Sequence, residues 1–364
     1  MLVLNCGSAT VKFALFLSHR DTLQEVTRGT MKVSDNFTTV IEQVLAQIPE
    51  GPDVVAHRIV NGGARFVAPV LIDDGVFTEL EHLAELAPLH NPPAVAVIAA
   101  CRSLGVPMVA VFDSAFHHTL PESAYHYALP RALVKTHGLR RYGFHGISHQ
   151  SVLERYAELT GNSRPTVVSL HLGSGASAAA IREGLCIDTS MGMTPLEGLL
   201  MGTRAGDLDP GVLLHLLRRG VAPGELDQIL NRESGLLAIA GTSDMRELER
   251  RDDEAAKLAL EMFTCRIVKY IGAYLAVLGG AEALIFTGGI GENAVHVRHR
   301  VLKRLAWAGV APDDISDPPV REGLLTAPGS RMQAWVIPTR EELLIARSAF
   351  AALMPQSRSA NEQP

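Results

Sequence analysis

The chain has 364 residues, of which 47% are apolar and 20% charged, with a formal net charge of −6. That is a length for two domains with real cores, and the acidic balance excludes non-specific nucleic-acid binding, because the phosphate backbone would be repelled. The four cysteines, Cys6, Cys101, Cys186 and Cys265, are scattered without a CxxC pair, which reads as reduced thiols in a cytosol rather than disulfides or zinc.

In chain order, the sequence opens directly on an apolar strand, LVLNCG, leaving no room for a signal peptide. The run LVLNCGSATVKFALF reads as a strand, a tight turn of small hydroxylated residues and a second strand. Helices are predicted over FTTVIEQVLAQI (37–48) and PPAVAVIAACRSLG (92–105), and buried strands over DVVAHRIV (53–60) and PMVAVFD (107–113). The stretch ELTGNSRPTV (158–167) has the composition of a linker. Directly after it, VVSLHLGSGASAAAI repeats the pattern of strand, glycine turn and strand. A long helix is predicted over 255–280, with Met262 and Phe263 both in its packed face. A buried strand ALIFTGG (283–289), a loop PDDISDPP (312–319) and a polar tail (355–364) complete the chain. No uninterrupted apolar run reaches membrane-spanning length, so a soluble, cytoplasmic protein is expected.

A turn of small residues between two strands aims backbone N–H groups and short hydroxyls at one point, which suits a phosphate oxygen. Two copies, one in each half, imply a duplicated domain that closes on a phosphorylated ligand. In an acidic chain the anion must be drawn in by placed arginines. Arg58 lies inside an apolar strand run, where a guanidinium meets either a carboxylate of the fold or an anionic ligand. Arg204 sits in the glycine-flanked loop MGTRAGDLDPG with no obvious helical partner. Asp113 closes the strand PMVAVFD, where open α/β folds place their sites; a helix N-cap is the alternative. His145 and His149 in GFHGISH stand four residues apart, but the glutamate of a zinc motif is replaced by Gly146. His145, just before a helix start, is therefore either a structural histidine or a donor to a charged oxygen. FTGGIGENA (286–294) reads as a strand running into a glycine turn and a helix whose first turn carries Glu292 and Asn293, suited to a nucleotide. Glu341 and Glu342 begin a helix after a strand, where they complement the dipole or hold a hydrated Mg²⁺.

The strings NCGSATVKF, HRIVNGG, LAPLHNPP, VFDSAFHHTLP, RRYGFHGISH, HLGSGAS, TSMGMTPLEGLLMGTRAGDLDPG, FTGGIGEN and PTREELLIAR follow one another over roughly residues 2 to 350. In this order they resemble the acetate kinase family, of the acetate and propionate kinase type within the sugar-kinase, Hsp70 and actin superfamily. The resemblance implies an α/β protein of two duplicated ribonuclease-H-like domains with a central cleft. Residues 1–148 with the returning helix of 341–364 would form the acid-side domain, and 149–340 the nucleotide-binding domain. It implies reversible transfer of the ATP γ-phosphoryl group to acetate, giving acetyl phosphate and ADP, with Mg²⁺ or Mn²⁺ as cofactor and a homodimer as the assembly. Propionate or butyrate is the alternative acid; an actin-like or Hsp70-like nucleotide switch and a sugar kinase are the alternatives beyond it.

Carried over residue by residue, the resemblance implies catalytic roles for Asp113, Arg58, His145 and Arg204, with Arg58 on the substrate carboxylate. Val60, Leu89, Phe144 and Pro195 would line a small apolar acid pocket. Lys12, His171, Leu172, Gly173, Ser174, Gly175, Asp244, Met245, Arg246, Gly289, Ile290, Gly291, Glu292 and Asn293 would bind the nucleotide, and Asn5 and Glu341 the metal. The chain departs from the family at Asn61, where histidine is usual, at Ala64, Ala9, Thr10 and Arg340, and in a shorter stretch between Lys12 and His57.

Overall fold

The computed structural model describes residues 1–7, 10–19, 22–33, 36–86, 91–313 and 321–354. Ser8 and Ala9 of the first glycine turn, Leu89, most of the predicted loop and the polar tail lie outside them. Contacts divide the chain into two compact units, Met1–Ala115 with Glu341–Pro364, and Phe116–Arg340.

In the first unit, β1 (Leu2–Cys6), β2 (Thr10–His19) and β3 (Thr22–Lys32) form an antiparallel meander. Parallel strands β4 (Val55–Ile59) and β6 (Met108–Phe112) extend it, with β5 (Val70–Leu71) at the edge, in the order β3-β2-β1-β4-β6-β5. Strand β6 is continuously apolar, whereas β4 carries His57 and Arg58 among its apolar residues. Helix Phe37–Leu45 is capped by the Asn36 side chain on the Thr39 N–H and buries Val40, Ile41 and Val44. Glu341–Leu353 packs over β1, β4 and β6.

The second unit repeats this plan. Strands β7 (Val167–Leu172), β8 (Ala176–Arg182) and β9 (Leu185–Thr189) form the meander, β10 (Ala283–Thr287) and β12 (Gln333–Val336) add in parallel, and β11 (Gly323–Leu324) lies at the edge. The order β11-β12-β10-β7-β8-β9 superposes, strand for strand, on that of the first sheet read in reverse. Asn5 pairs with Lys12 in one hairpin and His171 with Ser177 in the other, at equivalent places. The duplication expected from the two glycine turns is therefore a duplication of whole sheets.

Three expected details differ. The long helix, Glu254–Leu278, buries Phe263 but leaves Met262 41% exposed. Adjacent residues on a helix point about 100° apart, so a single packed face takes only one of them. The linker-like stretch begins inside helix Gly146–Thr160, which ends on Gly161 at φ 73°, a left-handed cap suited to glycine, so the connection spans only 161–166. The glycines after β10 form a short helix themselves, Gly288–Asn293, and Glu292 falls at its end instead of its first turn. No described helix is long and apolar enough to cross a membrane.

Candidate active site

In the first unit, three adjacent parallel strands deliver polar side chains to their carboxyl ends, where α/β sheets hold ligands. Asn5 comes from β1, Arg58 from β4, and Asp113 follows β6, its N–H donating to the Ile59 carbonyl at 2.8 Å. Arg58 donates from Nη1 to Asn5 Oδ1 at 3.1 Å and from Nη2 to Asp113 Oδ2 at 2.8 Å. Asn5 Nδ2 donates to Glu341 Oε2 at 3.3 Å, which ties the helix start to the strand ends. Of the two partners left open for Arg58, the fold supplies a carboxylate.

The Asp113 side chain is 2% exposed and that of Arg58 17%, so the pair is shielded but reachable from one side. Burial alone would lower the Arg58 pKa, yet the charges of Asp113 and Glu341 outweigh it and leave it raised. Burial raises the Glu341 carboxyl above its ordinary range, Arg58 and Lys12 oppose this, and Asp113 and Glu342 add to it. Lys12 is exposed on β2, opposite Asn5. Val60 is buried beyond the end of β4. Asn61, fully buried, accepts from the Gly63 N–H at 2.8 Å and closes the turn after that strand.

In the second unit the predicted residues gather around the glycine turn after β7. A methyl placed on Gly175 would stand 3.3 Å from His145 Nε2 and 3.6 Å from Arg204 Nη1, so histidine and arginine meet at this backbone. One on Gly173 would stand 3.6 Å from His171 Nε2 and 4.0 Å from the Gly289 nitrogen, which joins the second glycine segment to the first. The Arg204 loop is tied to the same turn by the Gly202 N–H, which donates to the Ser174 carbonyl at 3.0 Å. His145 and His171 stack with ring centroids 4.1 Å apart. His145 has φ 56°, an uncommon value for a residue with a side chain, and it caps helix Gly146–Thr160 in that conformation.

Arg204 is electrostatically unusual. Burial lowers its pKa, and among the described residues no carboxylate pairs with it. Its Nη1 donates to the Pro195 carbonyl at 3.3 Å, leaving most of a five-donor fork for an anion. Phe144 is buried beside His145, and Pro195 is half-buried.

The other expected nucleotide residues hold local structure as well. Asp244 caps helix Met245–Arg250 and accepts from Arg246 Nη2 at 2.7 Å, an exposed pair. That arginine holds the Asp244 carboxyl down at about 2. Glu292 Oε1 accepts from the Gly288 N–H at 3.0 Å and the Thr339 N–H at 3.1 Å, closing the glycine segment upon itself. Arg340 reaches Glu322 at 3.8 Å. No cluster of three or more metal-ligating side chains occurs among the described residues.

Sequence reasoning did not single out Ser148, Ser169 or Ser177, and used His149 only to dismiss zinc. Yet His149 is fully buried between Ser169 and Ser177 oxygens, each at 2.8 Å, and Ser177 also meets His145 Nδ1 at 3.0 Å. The available signal was the alternation of Ser169 and His171 along one strand face, with Ser177 expected across the hairpin.

Residues 30–347 match the acetokinase family. The chain is 44% identical to an acetate kinase of Chloroherpeton thalassium, over 97% of this chain and 99% of that protein. It is 49% identical to one from Clavibacter michiganensis, over 83% and 79%. Among solved structures, an acetate kinase of Porphyromonas gingivalis superposes with a TM-score of 0.88 at 37% identity, covering 97% and 99%. A propionate kinase of Francisella tularensis superposes at 0.87 and 36%, covering 95% and 98%.

Proposed function

The chain belongs to the acetokinase family, and from that premise we propose that it transfers the γ-phosphoryl group of ATP to acetate, reversibly, giving acetyl phosphate and ADP. The observation that carries the site assignment is Arg204, a half-buried guanidinium without a carboxylate partner among the described residues, meeting His145 at the Gly175 backbone.

Acetate is already ionised at neutral pH, so its oxygen attacks without a general base. The barrier lies in bringing two anions together and in the charge spread over the transferring group. Arg204 and His145 supply positive charge and an N–H donor where that charge develops. Arg58, held by Asn5 and Asp113, presents its accessible edge to the acid carboxylate, and Asp113 acts by orienting this arginine. Asn5 and Glu341 fit a hydrated Mg²⁺ or Mn²⁺: they offer a carbonyl oxygen and one carboxylate, and such ions take few protein ligands beside phosphate oxygens. Burial, Asp113 and Glu342 raise the Glu341 carboxyl, and a cation bound there would oppose that rise. When bound, the ion would draw charge from the phosphate oxygens.

Residues 1–148 with 341–364 serve the acid and 149–340 the nucleotide in this reading, and Lys12 is assigned to the nucleotide as well. A homodimer belongs to it too: helix Pro210–Arg218 buries none of its residues and exposes Val212, Leu214 and Leu217. The four free cysteines suit the cytoplasm.

Hydroxamate trapping tests the reaction. Acyl phosphate should form only with ATP, Mg²⁺ and a short-chain acid together, whereas ATP hydrolysis indifferent to acid, with nothing trapped, would refute the transfer. The propionate kinase neighbour favours propionate as a second acid. If Val60, Leu89, Phe144 and Pro195 hold the acid's tail, Val60→Ala frees room for it. A methylene in an apolar pocket is worth ~1–3 kcal/mol, so the propionate-to-acetate ratio of kcat/KM should rise about tenfold or more. An unchanged ratio would remove Val60 from the pocket.

A further inference from the structure

We infer that Ser177 and His149 are positioning residues, forming a hydroxyl–imidazole chain that holds His145 with its proton on Nε2, on the side of Arg204. This rests on the transfer role given to His145 above.

The chain is continuous within the second unit. His149 Nδ1 lies 2.8 Å from Ser169 Oγ, His149 Nε2 lies 2.8 Å from Ser177 Oγ, and Ser177 Oγ lies 3.0 Å from His145 Nδ1. Ser177 is itself fully buried. Burial, aided by the neighbouring His117 and His171, holds the His149 pKa well below its ordinary value, so its ring is neutral and carries one proton.

With one proton per hydroxyl, one on each neutral ring and two acceptor lone pairs on Ser177 Oγ, one arrangement of the three bonds leaves His145 Nδ1 an acceptor, and the others make it the donor. In the first, the Ser169 hydroxyl donates to His149 Nδ1, His149 Nε2–H donates to Ser177 Oγ, and the Ser177 hydroxyl donates to His145 Nδ1. The single proton of His145 is then on Nε2, which, like Arg204 Nη1, lies at the Gly175 backbone. In the others, neutral His145 carries its proton on Nδ1 and turns a lone pair toward the same point. An anionic oxygen beside Arg204 repels that lone pair and accepts from an N–H, so the anion selects the first arrangement. The neighbouring imidazole is arranged alike: His171 Nδ1 meets Ser148 Oγ at 2.7 Å, and its Nε2 faces Gly173. Both rings thus have Nδ1 tied to a hydroxyl and Nε2 turned to the glycine turn.

The test is ¹⁵N NMR of histidine-labelled protein with inorganic phosphate, with His145 identified by the resonances lost in His145→Gln. Wild type should show His145 protonated at Nε2 and bare at Nδ1. Ser177→Ala, which removes one oxygen from a strand of alanines, should lose that preference and lower kcat about tenfold to hundredfold, with both KM values within a few-fold. His149→Gln keeps an N–H where Nε2 donates and should retain more kcat than His149→Leu. A His145 proton on Nδ1 in the wild type, or an unchanged tautomer and kcat in Ser177→Ala, would overturn the inference. If His145→Ala keeps a normal kcat, the transfer role fails instead, and the tautomer measurement still decides the chain.

Discussion

Arg204→Ala is expected to lower kcat by about 10³-fold or more, the lower end of what an arginine on a transferring phosphoryl group supplies. The KM values for ATP and acetate should stay within a few-fold, because the interaction forms fully only when charge spreads over the transferring group. The geometry gives the reason for so large a loss. Arg204 is half-buried without a carboxylate partner among the described residues, so the fold does not neutralise its charge and water disperses it only in part. Its hydrogen bond to the Pro195 carbonyl aims the group without consuming its charge. Arg204→Lys should recover little, since a point charge on a flexible stem cannot reproduce the planar fork. His145→Ala should be milder, about 10²-fold, because it removes one donor rather than a fixed charge. Steady-state kinetics, with folding checked by circular dichroism, decide the matter. A near-normal kcat in folded Arg204→Ala would end the role assigned to it.

Much of this site was legible because its elements announce themselves locally. Apolar runs ending in Asp or glycine mark parallel strands and their carboxyl ends, so Asp113 and the turn at Gly173–Gly175 could be placed without coordinates. An arginine amid apolar residues, as at position 58, already demands an anion. What was not legible depends on register between distant segments. Ser177 faces His145 only because β8 pairs with β7 and helix Gly146–Thr160 lies against β7. Single serines carry no signal of that. The glycine segment 288–293 reads as a turn from propensity, since glycine disfavours helix interiors. It becomes helical because the Glu292 carboxylate gathers the Gly288 and Thr339 N–H groups, and Thr339 lies beyond any local window. The exposure of Met262 beside buried Phe263 shows the complementary limit: an apolar pattern locates a helix more surely than it fixes its rotation.

Arg58→Ala is expected to lower kcat/KM for acetate by about 10²-fold, through a higher KM for the acid and a lower kcat from lost alignment. The larger consequence is a stronger action of pH on the first unit. In the wild type, burial raises the Glu341 carboxyl above its ordinary value of 4.5, and Arg58 is the first of the charges that restrain it. Without the guanidinium it must rise further. Ionised Glu341 is the form that would hold the cation, so the acid limb of the kcat/KM profile should move to higher pH in the variant. Stability should move the other way. The folded carboxyl binds its proton more tightly than the unfolded one, so between 4.5 and the folded pKa the native state holds more protons. Unfolding free energy therefore falls as pH rises through that window, and falls further, to higher pH, in Arg58→Ala. Urea unfolding at several pH values and pH–rate profiles at saturating Mg²⁺ measure the two limbs separately. Arg58→Lys should restore part of the stability and little of the turnover, because one ammonium cannot span both Asn5 and Asp113 as the two Nη groups do. An acid limb unmoved in Arg58→Ala, with an ordinary KM for acetate, would detach Glu341 from the metal and Arg58 from the acid at once.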